Sequence, residues 1–277
     1  MGLYLQTNTT SLFAQNALGT ISNNLSKSLE RLSTGYRINN ASDDAGGLLA
    51  AENYDSQIRG LQAATRNVQQ GQSMVNTADG AMQSIYNDLQ QMRELAVEAA
   101  NGTVTNYAPY NAQLNDLMSN IDQVATGTVF NGKVLLDGSV GANFNLQVGA
   151  NGTAADTINI ASAFSNNKSA GLGLAAAAIN SQATAQTFIT SIDTASATLS
   201  SNVAKVGEFE DQLNNQLNTL SVSIQNYSSA EASIRDTDVA SEASNVVKLQ
   251  VAQQASAAAL AQANLMPSIA NQLLQNL

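Results

Sequence analysis

The sequence predicts a mainly α protein: a long antiparallel helical bundle or coiled coil built by both chain halves, with a small antiparallel β-hairpin region in the middle. Apolar residues recur at steps of three and four over most of the chain, as on one face of a helix. In the middle the period falls to two beside Asn-Gly and Asp-Gly pairs, as in hairpins. Charge is also unevenly placed. Every charged side chain lies between Lys27 and Lys248, so the first 26 and last 29 residues carry none. A helix end facing water normally carries Lys or Glu, because an apolar-plus-amide surface sticks to itself. Two such ends point to segments buried against each other and against other copies, and so to assembly rather than catalysis.

The N-terminal stripe is Ala14, Leu18, Ile21, Leu25, Leu29 and Leu32, with Gly35 placed as the C′ glycine that ends the helix. Residues 36–56 are polar and glycine-containing, an irregular connector with a short helical piece at its end. Ile58, Leu61, Thr65, Val68, Gln72 and Val75 then step like a heptad seam. After a register shift, Met82, Ile85, Leu89, Met92, Ala96 and Ala99 resume it, and Asn101-Gly102 ends the helix. Pro109 lies near the start of a further helix carrying Leu114, Leu117, Ile121 and Val124.

Phe144, Leu146 and Val148, then Ile158 and Ile160, alternate with polar residues, which places the β region at about 128–162. From about 183 the helical period returns through Ile192, Leu199, Val203, Val206, Leu213, Leu217, Leu220, Ile224 and Tyr227. A polar join at 231–238 leads to the last stripe, Val247, Val251, Ala255, Ala258, Ala261, Leu265, Ile269 and Leu273, with Pro267 placed to kink or shorten the helix.

This near-mirror layout predicts a chain that goes out and comes back. Residues 1–35 pair with 239–277, joined through connectors 36–56 and 231–238 to a helical rod at 57–230, with no large outer domain. The candidate assembly residues are those of the terminal stripes: Leu18, Ile21, Leu25, Leu29, Leu32, Val247, Val251, Leu265, Ile269 and Leu273.

Composition excludes several function classes. Charged residues make up 12% of the chain, about half the usual share. The net charge of −10 opposes binding to nucleic acid, which needs a basic surface, and adsorption to an anionic membrane. With no Cys and no His, the Ser–His–Asp, Cys–His and zinc–His hydrolase chemistries are excluded, and no metal or cofactor is expected. Glu94 and Glu98, one turn apart, read as a solvated helix face. Asp43-Asp44 beside Gly46-Gly47 reads as a turn or helix start rather than a cation loop. Residues 1–20 lack the basic and long apolar regions of a secretory signal, and no stretch reaches the roughly 20 apolar residues of a membrane span. Taken alone, these absences predict a cytoplasmic protein.

Several motifs closely resemble bacterial flagellin. They are Leu-Glu-Arg-Leu-Ser-Thr-Gly-Tyr-Arg-Ile-Asn at 29–39, Ala-Ser-Asp-Asp-Ala-Gly-Gly at 41–47 and Arg-Glu-Leu-Ala-Val-Glu-Ala-Ala-Asn at 93–101. Phe-Asn-Gly at 130–132, Gln-Val-Gly-Ala-Asn at 147–151, Ile-Arg-Asp-Thr-Asp at 234–238 and Ala-Gln-Ala-Asn at 261–264 follow in family order. The resemblance covers nearly everything except roughly 162–185. It implies a filament subunit whose terminal helices pair in an inner tube, with the longer helices and hairpin in the next shell. It makes the chain a minimal, core-only member without the variable outer domains of larger ones.

The resemblance also implies export through the flagellar type III apparatus without a cleaved signal, which replaces the cytoplasmic expectation with an extracellular one. The implied partners are copies of the chain itself, hook-associated junction and cap proteins, and a flagellar export chaperone. A hook–filament junction protein, or a surface flagellin homologue acting as an adhesin, is the alternative, but the internal motifs fit flagellin better. Residues 90–95 match the stretch that an animal innate immune receptor recognises in enteric flagellins. Arg93, Glu94 and Leu95 are retained, whereas Gln91 replaces a basic residue and Gln113 an acidic one. Losing two charge-assisted contacts implies weak recognition.

Overall fold

A computed structural model describes the backbone of residues 7–275 and the side chains of residues 7–265. It divides into two compact units, residues 1–56 with 227–277 and residues 57–226.

The first unit is built on an antiparallel pair of helices, α1 (Thr9–Thr34) and α5 (Val239–Gln275). Asn8 caps α1 by accepting from the Ser11 amide at 3.0 Å, and its own amide group donates to the Ala263 carbonyl at 2.8 Å. Ser28 with Asn245 at 3.2 Å and Ser11 with Asn264 at 2.7 Å fix the register from either end. Gly35 ends α1 as expected, at φ +76° with its N–H on the Arg31 carbonyl.

The phase of the seam differs from the expectation. On α1 it runs through Ala14, Leu18, Ile21, Leu25, Ser28 and Leu32, a regular 4-3-4-3-4 progression, so Ser28 is buried and Leu29 faces out. On α5 it runs through Val246, Leu249, Gln253, Ser256, Leu260 and Ala263, which leaves Val247, Val251 and Leu265 exposed. Valine and alanine surround α5 almost completely, so hydrophobicity alone cannot set its phase, and the polar pairs with α1 do. Backbone geometry stays helical through Pro267, because proline removes a single hydrogen-bond donor and the turns beyond it keep theirs.

The connectors are shorter than their polarity suggests. Helix α2 (Ala45–Ala99) already begins at Ala45, and α4 (Gln182–Arg235) continues to Arg235. Polar residues do not end a helix; caps do. Asp44 Oδ1 accepts from the Gly47 amide at 2.9 Å to start α2, and Asp238 Oδ1 accepts from Ala240 and Ser241 to start α5. A Cβ at Gly47 would lie 2.7 Å from Ile38 Cδ1 as well as on the Asp44 carboxylate, so a larger residue needs both side chains to shift. Tyr36 and Asp236 form an antiparallel bridge, Thr237 donates to the Gly35 carbonyl, and the Arg235 guanidinium lies 4.2 Å above the Tyr36 ring.

Asp43 accepts from the Asn39 and Asn40 amides and pairs with Lys27 at 2.5 Å. The Lys27 hydrogen bond, then those amides, hold its pKa at about 2, below the ordinary 3.8. A lowered pKa contributes stability above the unfolded value and loses it as pH falls through the folded one. The stability gap between the parent and Asp43→Asn therefore narrows as pH falls from about 4 to about 2. Urea melts at stepped pH measure this, and a gap that stays constant would exclude the linkage.

The second unit takes its core from α2, α4, α3 (Ala108–Gly127) and two small antiparallel sheets. Along α2 the seam is continuous. Ala78, fully buried, links Val75 to Met82 and removes the expected register shift, while Ala64 and Gly71 sit deeper than Thr65 and Gln72. Gln72 with Asn214 at 2.6 Å and Arg93 with Asp193 at 2.8 Å set α2 and α4 antiparallel. On α3, Pro109 falls in the first turn, and Met118 and Ala125 replace Leu117 and Val124 on the buried face.

Strands β1 (Val129–Phe130) and β2 (Lys133–Val134) flank the Asn131-Gly132 turn, where both residues have positive φ. Strand β3 (Asn145–Gln147) pairs with β4 (Thr157–Asn159), Leu146 opposite Ile158. The Gln-Val-Gly-Ala-Asn loop after β3 is held from two helices. Asn67 of α2 donates to the Gln147 carbonyl at 3.1 Å and Gln216 of α4 to the Val148 carbonyl at 3.0 Å.

Candidate assembly surface

The charge-free ends of the chain form most of α1 and α5, and their outer face keeps large apolar side chains in water. Phe13 is 77% exposed and Val251 60% exposed, and Leu12, Leu29, Val247 and Leu265 are exposed as well. Neighbouring exposed positions are amides such as Gln15, Asn16, Asn23, Gln250 and Gln254. Among the described residues of this face no charge interrupts the surface before Lys27 or after Lys248. A groove of about 260 Å³ opens between the two helices, walled by Phe13 and by the small residues Ala14, Ala17, Ser256, Ala259 and Ala263. Small walls leave room for side chains from outside, and an apolar patch rimmed by amides is the pattern of a protein–protein surface.

The candidate residues thus divide into two sets. Leu18, Ile21, Leu25 and Leu32 are half-buried on the side of α1 that meets α5. Leu29, Val247, Val251 and Leu265 lie on exposed positions. The side chains of Ile269 and Leu273 lie outside the described residues. Sequence reasoning missed Leu12 and Phe13, which fall off the stripe. Their signal was available: two large apolar residues, unnecessary to the seam, in a segment without charge.

In the second unit, Gln91, Arg93, Glu94 and Gln113 are exposed and Leu95 is half-buried. Arg93 is engaged with Asp193 across to α4, both about half-exposed, so the pair contributes about 1 kcal/mol or less. Glu94 and Glu98 are on the solvated face. Among the described residues no group of His, Cys, Asp or Glu is arranged to hold a metal ion, and no helix is long and apolar enough to cross a membrane.

Residues 5–141 match the family model of the bacterial flagellin N-terminal helical region, and residues 189–276 match that of the C-terminal helical region. The chain belongs to the bacterial flagellin family. It is 37% identical over 251 residues to a flagellin of Halalkalibacterium halodurans, covering 90% of this chain and 91% of that one. It is 36% identical over 296 residues to a flagellin of Bacillus subtilis, covering 95% and 97%. A flagellar filament 30.7 kDa core protein of Treponema maltophilum is 31% identical over 269 residues, covering 93% and 94%.

Flagellins are structural filament proteins rather than enzymes, so the exposed α1–α5 face, not a catalytic pocket, is the part of this flagellin to explain. Flagellin subunits belong to the extracellular flagellum.

Proposed function

We propose that this chain self-assembles into the flagellar filament through the outer face of its α1–α5 pair. The observation that carries this reading is the set of exposed apolar residues, Phe13 and Val251 foremost, on stretches of α1 and α5 that carry no charge before Lys27 or after Lys248. Burying that face stabilises a polymer by about 25 cal/mol per Å² of apolar area. Amide and hydroxyl groups beside it are buried at modest cost when hydrogen-bonded, whereas an unpaired Lys or Glu would cost several kcal/mol. The exposed set, Leu29, Val247, Val251 and Leu265, meets neighbouring copies. The seam set, Leu18, Ile21, Leu25 and Leu32, holds the pair that presents them.

Purified monomer seeded with filament fragments is the direct test. Filaments of micrometre length by electron microscopy are expected, and particles that remain small oligomers at every concentration would remove the reading.

The finer reading follows from family membership. The subunit is exported unfolded through the flagellar type III apparatus without signal cleavage, with a chaperone before export and junction and cap proteins at the filament ends. The uncharged Gln91 and Gln113 support weak recognition by the innate immune receptor. A receptor-reporter response equal to that of an enteric flagellin would contradict this.

A further inference from the structure

Between the two family-model matches, residues 142–188 have no assigned role. Part of this stretch is held in an unusual way. After a turn at 168–173 the chain runs extended toward α4, and side chains of α3 grip its backbone. Asn111 accepts from the Ile179 N–H at 2.9 Å and donates to the Ile179 carbonyl at 2.8 Å. Asn115 does the same at Ala177, at 3.0 and 3.4 Å. Asp122 Oδ1 accepts from the Ser169 N–H at 2.7 Å. Positions 111, 115 and 122 are four and seven residues apart and share one face of α3. Residues 177 and 179 are two apart, the repeat of an extended chain. The two carboxamides therefore act as a surrogate strand edge.

Leu172, Leu174, Ala177 and Ile179 are buried, but Ala175, Ala176 and Ala178 are exposed and contribute little area. A pocket of about 180 Å³, open to solvent, lies beside the end of this strap, lined by Ala178, Ile179, Thr184, Thr187, Phe188 and Ser191. Thr184 Oγ1 accepts from the Asn180 and Ser181 amides at 3.0 Å, so the helical start of α4 is capped locally, without the grip from α3. A segment without main-chain ladder bonds of its own, held on α3 by three side chains and beside an open pocket, opens at lower free energy than a packed helix.

We infer that residues 169–179 form a latch on α3, closed by main-chain recognition, that opens and closes while α2, α3 and α4 stay folded. Because Asn111 and Asn115 read the backbone, side chains at 175, 176 and 178 are free to vary without loss of the grip. Opening exposes Leu172, Leu174 and Ile179 at the end of the unit.

Hydrogen exchange on the full-length monomer tests this. The Ala177 and Ile179 amides exchange faster than those of Met82 and Leu89 in α2. In Asn115→Ala, which removes the bond at 3.0 Å and the weaker one at 3.4 Å, the Ala177 amide exchanges about tenfold faster still, with α2 unchanged. Asn115→Asp keeps the acceptor and protects Ala177 better than Asn115→Ala does. Ala178→Leu, which reaches into the pocket, slows both strap amides. A common exchange rate for strap and α2 in the parent would overturn the latch. So would variants in which the α2 amides accelerate in step with those of the strap.

Discussion

Val251→Lys abolishes filament growth from seeds and leaves the helix content and melting temperature of the monomer unchanged. Val251 is 60% exposed on α5, two residues beyond the seam position Leu249 and two before Gln253. Lysine has a higher helix propensity than valine and its ammonium stays solvated in the free subunit, which offsets the few tenths of a kcal/mol of repulsion from exposed Lys248 one turn away. With this face buried in the filament the same ammonium is taken from water, and left unpaired there it costs several kcal/mol per subunit. Each 1.4 kcal/mol weakens subunit affinity about tenfold, so several abolish elongation at ordinary concentrations.

Val251→Ala keeps the face neutral and keeps growth, which separates charge from volume. Val246→Lys sets the contrast. Val246 is buried on the seam, so lysine there lowers the stability of the α1–α5 pair itself. Seeded growth by electron microscopy, with circular dichroism of each monomer, reads both effects. Undiminished growth of Val251→Lys would show that this face stays in water.

These two neighbouring positions also show where the sequence was legible. That α1 and α5 are helices, and that each needs partners, follows from period and from absent charge. Which valine faces the partner helix does not. Val246 and Val247 are adjacent and identical, and a helix apolar on nearly all sides has no hydrophobic phase to read. The phase is set by polar contacts, Ser28 with Asn245 and Ser11 with Asn264, which a search for apolar stripes passes over.

Ala78 made the same kind of difference on α2. It is small enough to be skipped in a stripe of Val and Met, yet it is fully buried and keeps the seam regular. The strap was illegible for another reason. Its grip is made to backbone atoms, so the partner residues, Ala177 and Ile179, carry no side-chain signature of being held. The connectors misled through composition, because their polar residues extend α2 from the Asp44 cap and carry α4 on to Arg235, just before Asp238 caps α5.

Glycine shows how strongly context decides within one helix. Gly60→Ala lowers the stability of the second unit and Gly80→Ala raises it, although both place the same methyl group inside α2. In isolation alanine is favoured over glycine in a helix by about 1 kcal/mol, through the entropy of the unfolded chain. At Gly80 nothing lies within 4 Å of the added Cβ, so the full gain is expected.

At Gly60 the Cβ would lie 2.8 Å from the Ala150 Cβ and 3.3 Å from its Cα. That neighbour is backbone in a loop pinned on both sides. Moving it strains the bonds from Asn67 to the Gln147 carbonyl and from Gln216 to the Val148 carbonyl. Overpacking of this kind costs about 1–3 kcal/mol, enough to cancel the propensity gain and reverse its sign. Gly60→Val, larger and β-branched, extends the trend. Gly71→Ala falls between, because it meets the Leu146 Cδ2 at 2.6 Å, the tip of a side chain rather than backbone. The expected order of stability in urea melts is Gly80→Ala, parent, Gly71→Ala, Gly60→Ala, Gly60→Val. If Gly60→Ala stabilised as much as Gly80→Ala, the close approach of the loop to α2 would be refuted.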